Sequence, residues 1–467
     1  MATIGSSNFT VMRYTEEAAS SNAGYPANST IQEIPMTGES FQYSSQFISS
    51  QNINSSRQAS DQIQTSFEVA GGLQIEFAPK VYDELIEGAM WADWQATAKD
   101  ADYELTTTTA VAGTNGGTLA DTDAGEDMTT GLVVGQWFYL RSRGEPAAAI
   151  TSSNVGIYKV LLVTENLITL DESTPITAVD TEKTCTICAS TMKAPEDGKA
   201  INMKRHKYFF ERQHADLDQD QFFGFGGNLV NNWSINGASA SLLTGSFDFM
   251  GENATIRNSG IYNLETNPNG QATGDGETPE APTTATANLG SAALDDAYAG
   301  GDGAHAAAGS FNGFNAVSHI KGIYLDGVDA NATASGDIYI QSLDFTIANN
   351  LRGAQAIGHM GNIAVQAGQL NITGNIASYF ANDKMYRRFL SGEEFSLEYV
   401  VEDENNDAYV FSFPRVTIST SSMNAGGNDQ DLIENMQWTA LYDDTAGVKT
   451  SMRIDRLYSD YTDTPDA

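Results

Sequence analysis

Large apolar residues recur at every second position in many stretches of this chain, and that alternation constrains the fold more than any other feature. It runs through Phe67-Glu68-Val69, Leu73-Gln74-Ile75-Glu76-Phe77, Trp233-Ser234-Ile235 and Ser246-Phe247-Asp248-Phe249-Met250. It returns in Ile338 to Ile347 and in Phe395 to Val401. A period of two sends successive side chains to opposite faces of an extended strand, so each stretch predicts a strand with one buried face. Helical spacing is rare. Pro79 to about Gln95 is expected to be a helix, with Val81, Leu85, Met90 and Trp91 as its apolar stripe. A shorter helix is expected over Asn382 to Leu390, capped by Asn382 or Asp383. The chain thus reads as mainly β with short flanking helices.

At 467 residues there is material for two or three domains, and 41% hydrophobic content supplies a core. No window approaches 18 consecutive apolar residues, so neither a membrane span nor a membrane partner is expected. Met1 to Gly5 shows no basic and apolar leader, so no secretory signal is expected. Sixty acidic against 24 basic residues give a net charge of -36. Binding to DNA phosphates needs Lys and Arg to release counterions, so this balance disfavours tight nucleic-acid binding. It fits either simple solubility or a surface that faces DNA without holding it.

Two weakly similar halves are visible. Val69-Ala70-Gly71-Gly72-Leu73-Gln74-Ile75-Glu76-Phe77 precedes the first helix; Asn371-Ile372-Thr373-Gly374-Asn375-Ile376-Ala377-Ser378-Tyr379-Phe380 precedes the second. Each reads as strand, Gly, strand, helix. Downstream, the segments Gly227 to Phe249 and Phe413 to Ala440 each read as two strands about a loop. Either a duplication or two unrelated β-domains accounts for this. Between Gly131 and Glu172, the runs Leu132 to Leu140, Val155 to Val160 and Leu167 to Leu170 predict three to five short strands, an inserted SH3-like barrel. Thr106 to Thr130 is expected to be loop, and Asn267 to Gly313 a long Gly/Ala/Thr-rich connection. The expected organisation is a first β-domain from 1–107 plus 200–265, an insert at 108–199, a connection at 266–317, and a second β-domain at 318–467.

Residues that carry chemistry are few. Cys185 and Cys188 have the spacing of half a zinc site, but tetrahedral zinc needs four ligands, and no second pair exists. Two strand or turn cysteines is the alternative. His206, His214, His305, His319 and His359 form no HxxxH, and the chain has neither GxSxG nor a phosphate-binding loop. No catalytic residue, metal or cofactor is expected. The densest basic run is Lys204-Arg205-His206-Lys207. It is either a charged strand face or a contact with an acidic patch on another copy, such as Asp121, Asp123, Glu126 and Asp127.

Three blocks together carry a family resemblance. Ile53 to Asp61 with Ser56-Arg57-Gln58, Val69 to Phe77 and Tyr82-Asp83-Glu84-Leu85 form the first. Leu243 to Gly251 and Ser342 to Tyr379-Phe380 form the others. In order and spacing they resemble phage tail tube proteins. The family commonly has Asp-Asn-Asn or Asp-Asn-Gly where this chain has Ala348-Asn349-Asn350, which puts one turn contact in question. The resemblance implies β-sandwich or half-barrel units that line stacked rings around a DNA channel in the tail of a long, non-contractile-tailed phage. It implies no enzyme activity. A duplicated subunit implies three chains per ring with pseudo-sixfold symmetry, an unduplicated one six. Further implied are assembly in the host cytoplasm, the partners tape measure, tail tip and terminator, transient passage of double-stranded DNA, and a barrel on the outer wall. Two other readings fit the composition: a capsid decoration or baseplate protein, and a carbohydrate-binding or carbohydrate-cleaving surface protein.

Overall fold

The computed structural model describes residues 6–17, 32–51, 58, 61–96, 99–121, 132–142, 149–196, 203–214, 221–258, 313–330, 338–423, 427–428, 430–445 and 448–458. In the first unit come β1 (Thr10–Glu17), β2 (Gln32–Glu33), β3 (Gly38–Glu39), β4 (Gln42–Ser49), β5 (Gln62–Glu76), helix α1 (Asp83–Met90) and β6 (Gln95–Ala96). A closed six-stranded barrel follows: β7 (Lys99–Thr108), β8 (Thr118–Asp121), β9 (Trp137–Ser142), β10 (Gly156–Thr164), β11 (Leu167–Leu170) and β12 (Lys183–Cys188). The chain returns through β13 (Ser190–Lys193), β14 (Lys207–His214), β15 (Gln221–Ala238), β16 (Thr244–Gly251) and β17 (Asn253–Asn258). The second unit holds β18 (Ile320–Leu325), β19 (Val328–Asp329), β20 (Tyr339–Ala348), β21 (Arg352–Ala354), β22 (Ala364–Gln366), β23 (Asn371–Tyr379), helix α2 (Lys384–Ser391), β24 (Phe395–Glu402), β25 (Ala408–Met423), β26 (Ile433–Ala440) and β27 (Arg453–Leu457).

The mainly β fold is as expected, and several local readings are corrected. The strand–Gly–strand of the first half is one strand, β5, that runs straight through Gly71 and Gly72. A Cβ on Gly71 would stand 2.3 Å from Phe41 Cα, so glycine there serves close packing rather than a turn. The first helix is shorter than its apolar stripe: Trp91 takes a left-handed backbone (φ 56°) and ends it. Thr106 to Thr130 is not all loop, because β7 runs to Thr108 and β8 covers Thr118–Asp121. The expected connection falls largely on 259–312, outside the described residues.

The pairing pattern repeats. β1–β14, β14–β15, β15–β16, β16–β5, β5–β4 and β15–β17 recur as β18–β24, β24–β25, β25–β26, β26–β23, β23–β20 and β25–β27. Even the bulges recur at equivalent positions: Val230/Asn232 against Ile418/Thr420, and Tyr208/Phe210 against Phe395/Leu397. Gly71 sits opposite Phe249 as Gly374 sits opposite Trp438. Bulges are built features that re-aim a strand, and two pairs of them at matching positions mark one unit used twice.

The long strands β15 and β25 bend at these bulges. Their first halves pair in an outer layer, and their second halves join an inner one. The inner layer is an eight-stranded sheet in the order β25-β26-β23-β20-β15-β16-β5-β4, with β3 continuing the line of β4. Between the layers lies one apolar core shared by both units. Trp233 stacks on Phe247 at 5.7 Å, Phe345 and Phe411 meet at 5.2 Å, and Phe41 meets Phe210 at 4.8 Å. Such aromatic pairs add about 0.5–1.5 kcal/mol each beyond their buried area. The barrel packs against the outer layer of the second unit. Trp137 N–H donates to Asp455 at 3.1 Å, Lys159 meets Glu398 at 2.9 Å, and the barrel core is continuous with Val400, Val410 and Leu457.

Candidate functional site, an open sheet face and two free strand edges

Because strand residues alternate, the inner sheet has one face on the core and one face open. The open face carries Gln74, Asn232, Ser234, Asn236, Thr244, Ser246, Thr346, Thr373, Asn375, Asn435, Gln437 and Thr439. Its carboxylates are Glu68, Glu76, Asp248 and Asp344. Among the described residues on this face there is no Lys or Arg. Neighbouring strands tie it together: Asn232 Nδ2 donates to Asp248 at 3.2 Å, Asn375 Nδ2 to Asp344 at 2.9 Å, and the Ser234 and Ser246 hydroxyls meet at 2.9 Å. Amides and hydroxyls therefore outnumber carboxylates on this face.

Both lateral ends of the sheet are open. Among the described residues, no strand pairs with the outer edge of β4 or with the outer edge of β25 from Thr417 to Met423. Unpaired edges invite pairing with another chain. Exposed apolar side chains stand beside both: Phe47 and Ile48 on β4 with Ile63 opposite, and Leu390 on α2. The alternation pattern conceals them, because Phe47-Ile48 is an adjacent apolar pair that cannot put both side chains in the core.

The two units meet inside the chain through the same kind of edge. β15 pairs with β20 over seven residue pairs, from Asn232↔Ala348 to Ala238↔Ser342. Just past this ladder, Asn349 Nδ2 donates to Ala89 O and Val230 O, each at 3.0 Å, and Leu351 N–H donates to Asn231 Oδ1 at 2.9 Å. Leu351 packs with Trp91, Leu229 and Val365. The Asn349 bonds fill the turn that the Ala348 departure put in question.

The basic run is engaged within its own chain. Lys207 binds Glu252 at 2.8 Å, and His206 lies 2.8 Å from Glu16 and 3.1 Å from Asp93. Arg205 donates to Gln366 at 2.8 Å and lies over the Trp91 ring, while the exposed Lys204 stands 3.7 Å from Asp93. Asp121 is buried at the end of barrel strand β8. Asp123, Glu126 and Asp127 lie outside the described residues. Beside the basic run, burial pushes the Glu87 carboxyl up to about 7, against the pull of the Trp94 N–H and His206. Burial lowers His206, but Glu16, Glu87 and Asp93 outweigh it and raise its pKa above the ordinary value.

Cys185 and Cys188 form no disulfide and are buried on β12 in the barrel core, where burial pushes the Cys185 thiol up to about 12. His319 is a core histidine whose Nδ1 accepts from Asn315 N–H at 3.1 Å. Among the described residues no group of three or more His, Cys, Asp or Glu is placed to hold a metal ion, and no helix is long and apolar enough to cross a membrane. An open depression of about 630 Å³ is lined by Asp326, Glu394, Arg415 and Asp443, and its one cation is held by Glu394 at 2.5 Å.

Residues 7–440 match the family model described as phage tail tube protein. The chain belongs to that family. No curated protein matches it. A phage tail tube protein is a structural component of the virion tail that assembles with copies of itself and with other tail proteins.

Proposed function

We propose that three copies of this tail tube protein close into a ring, and that stacked rings form the tube of a long, non-contractile tail, with the open face of the inner sheet lining a DNA channel. The observation that carries this reading is the repeated pairing pattern, in which one chain supplies two equivalent wall units and leaves a free edge at each end. Ring size follows from strand geometry. With strands about 4.8 Å apart and tilted by about 40°, three eight-stranded sheets close into a wall about 50 Å across, with a bore of about 40 Å inside the side chains. That admits a DNA duplex with room for water. Six copies would leave a bore of about 85 Å on the same geometry, far wider than a duplex needs.

The role is passive conduction of the genome from capsid to host during ejection, not catalysis. A wall without Lys or Arg makes no counterion-releasing contacts with phosphates, so nothing on it holds the passing duplex. Its few carboxylates make the channel weakly acidic. Docked on the outer layer, the barrel stands on the side away from the channel and decorates the outside of the tube. Between rings, the exposed Lys204 and Arg205 are offered to the acidic side chains Asp123, Glu126 and Asp127 of the next ring. The tape measure, tail tip and terminator are the expected partners, and the host cytoplasm is the site of assembly.

Electron microscopy of the purified protein, with mass per ring, tests the proposal. Hollow stacks with three chains per ring support it. Six chains per ring would overturn the stoichiometry, and discrete trimers that never stack would point to a decoration or baseplate protein.

A further inference from the structure

Resting on the ring reading, we propose that the joint between copies is a second instance of the β15–β20 joint inside the chain, formed by β25 of one copy and β4 of the next. The repeated pairings place the equivalences. Asn232 corresponds to Thr420, because each follows the matching bulge and pairs with β16 or β26 at the same level. Tyr43 corresponds to Ile347 through their partners Val69 and Ile372. Transferred to the free edges, the register is Thr420↔Ser44, Ser421↔Tyr43 and Ser422↔Gln42 of the next copy. Ser40 N–H bonds Gly72 O toward β5, so the backbone groups of Gln42 and Ser44 also turn inward and those of Tyr43 turn out. Phe41 N–H is already taken by Glu39 at 3.0 Å, which ends the free edge there.

The side chains past the ladder complete the case. Counting on from Tyr43, Phe47 corresponds to Leu351. Helices α1 and α2 both end on a left-handed residue, so Gly392 corresponds to Trp91 and Leu390 to Ala89. Inside the chain, Leu351 packs on the large Trp91. Between copies, the larger Phe47 meets Gly392, around whose Cβ position nothing lies within 4 Å, and the adjacent Leu390. Phe47 is 52% exposed and Leu390 68% exposed, whereas Leu351 is 8% and Ala89 0%. A small residue on one side and a large one on the other exchange places, so the same volume is filled. The two exposed side chains are those that the equivalence predicts will be covered by a second copy.

Cysteine crosslinking in assembled rings tests the register. Ser422 and Gln42 form the non-hydrogen-bonded pair, in which side chains lie closest. Gln42→Cys with Ser422→Cys is expected to give, on oxidation, a covalent product that closes at three chains. The slipped pair Ser44→Cys with Ser422→Cys is expected to give little. Native Cys185 and Cys188 are buried and stay out of the reaction. Leu390→Asp, at an exposed position, is expected to leave the melting temperature of the isolated chain unchanged and to cut ring yield on the order of tenfold. Rings that form without the Gln42–Ser422 product, or with the slipped product instead, overturn the joint and leave the tube reading standing. A wild-type chain that forms no rings even with the other tail proteins present overturns both.

Discussion

Asp83 ties the first unit to the second, and its removal has a calculable cost. The carboxylate sits at the start of α1 and is nearly buried. It accepts from Tyr409 of β25 at 2.5 Å, from Arg456 of β27 at 2.9 Å, and from Tyr458. Burial first, then the Asp83 charge, holds both phenols well above the usual tyrosine range, so they stay protonated and donate. Arg456 lies 4.7 Å from the Trp94 ring, and its side chain is 11% exposed. Asp83→Ala leaves this guanidinium without its carboxylate in a place where water cannot replace it. Breaking a buried pair from one side costs about 3–5 kcal/mol. Unfolding entropy of about 2.1 cal/mol/K per residue over about 400 cooperative residues converts that to a loss of about 4–6 °C in Tm. Differential scanning calorimetry of Asp83→Ala, Arg456→Met and the double variant measures it, and the double variant should lose less than the sum. Strict additivity, or a shift under 1 °C for Asp83→Ala, would refute the claim that this pair joins the units.

Three further outcomes are expected. Asp248→Lys with Asp344→Lys puts cations on the open face, each adding about one counterion-releasing contact per copy, so DNA ejection should slow at low salt and recover as salt rises; an ejection rate equal to wild type at all salts would place that face away from DNA. Gly374→Ala brings a Cβ to 2.2 Å from Asp344 O and 2.5 Å from the Trp438 ring, and should cost about 1–3 kcal/mol in a denaturant titration. Glu87 binds its proton more tightly folded than unfolded, so it withdraws stability as pH rises from about 5 through 7, whereas His206, whose pKa is also raised, withdraws its share only above about 6.5; Glu87→Gln should flatten the fall of Tm between about 5 and 7, and an unchanged pH profile would show that Glu87 titrates normally.

The strands were legible because Phe247, Phe249, Phe345 and Ile347 alternate with polar residues on a sheet with one open face. The repeat was legible at Gly71 and Gly374, where close packing forbids a side chain. β7 and β8 escape the pattern because a small barrel closes on itself: Thr106 to Thr108 and Thr118 to Asp121 offer Thr, Ala and Leu rather than bulky alternation. The helix over-reads because Trp91 continues the apolar stripe of α1 while its own backbone has left the helix. The open face is invisible in composition, since a net charge of -36 says nothing about where the acids stand. The free edges need the pairing pattern, because a strand's partner is a property of topology, not of its own residues.

Two units in one chain are free to differ, and on the open face they do. Glu68, Glu76, Asp248 and Asp344 correspond to Asn371, Tyr379, Gln437 and Ser40 in the other unit, so each carboxylate has an uncharged counterpart. Around a ring of three, charge would then recur every 120° while the backbone recurs every 60°. Neighbouring patches would stand about 50 Å apart along the wall, several screening lengths of about 8 Å at physiological salt. A duplex passing through would meet three acidic stripes separated by neutral amide and hydroxyl surface, a threefold potential that identical units could not make.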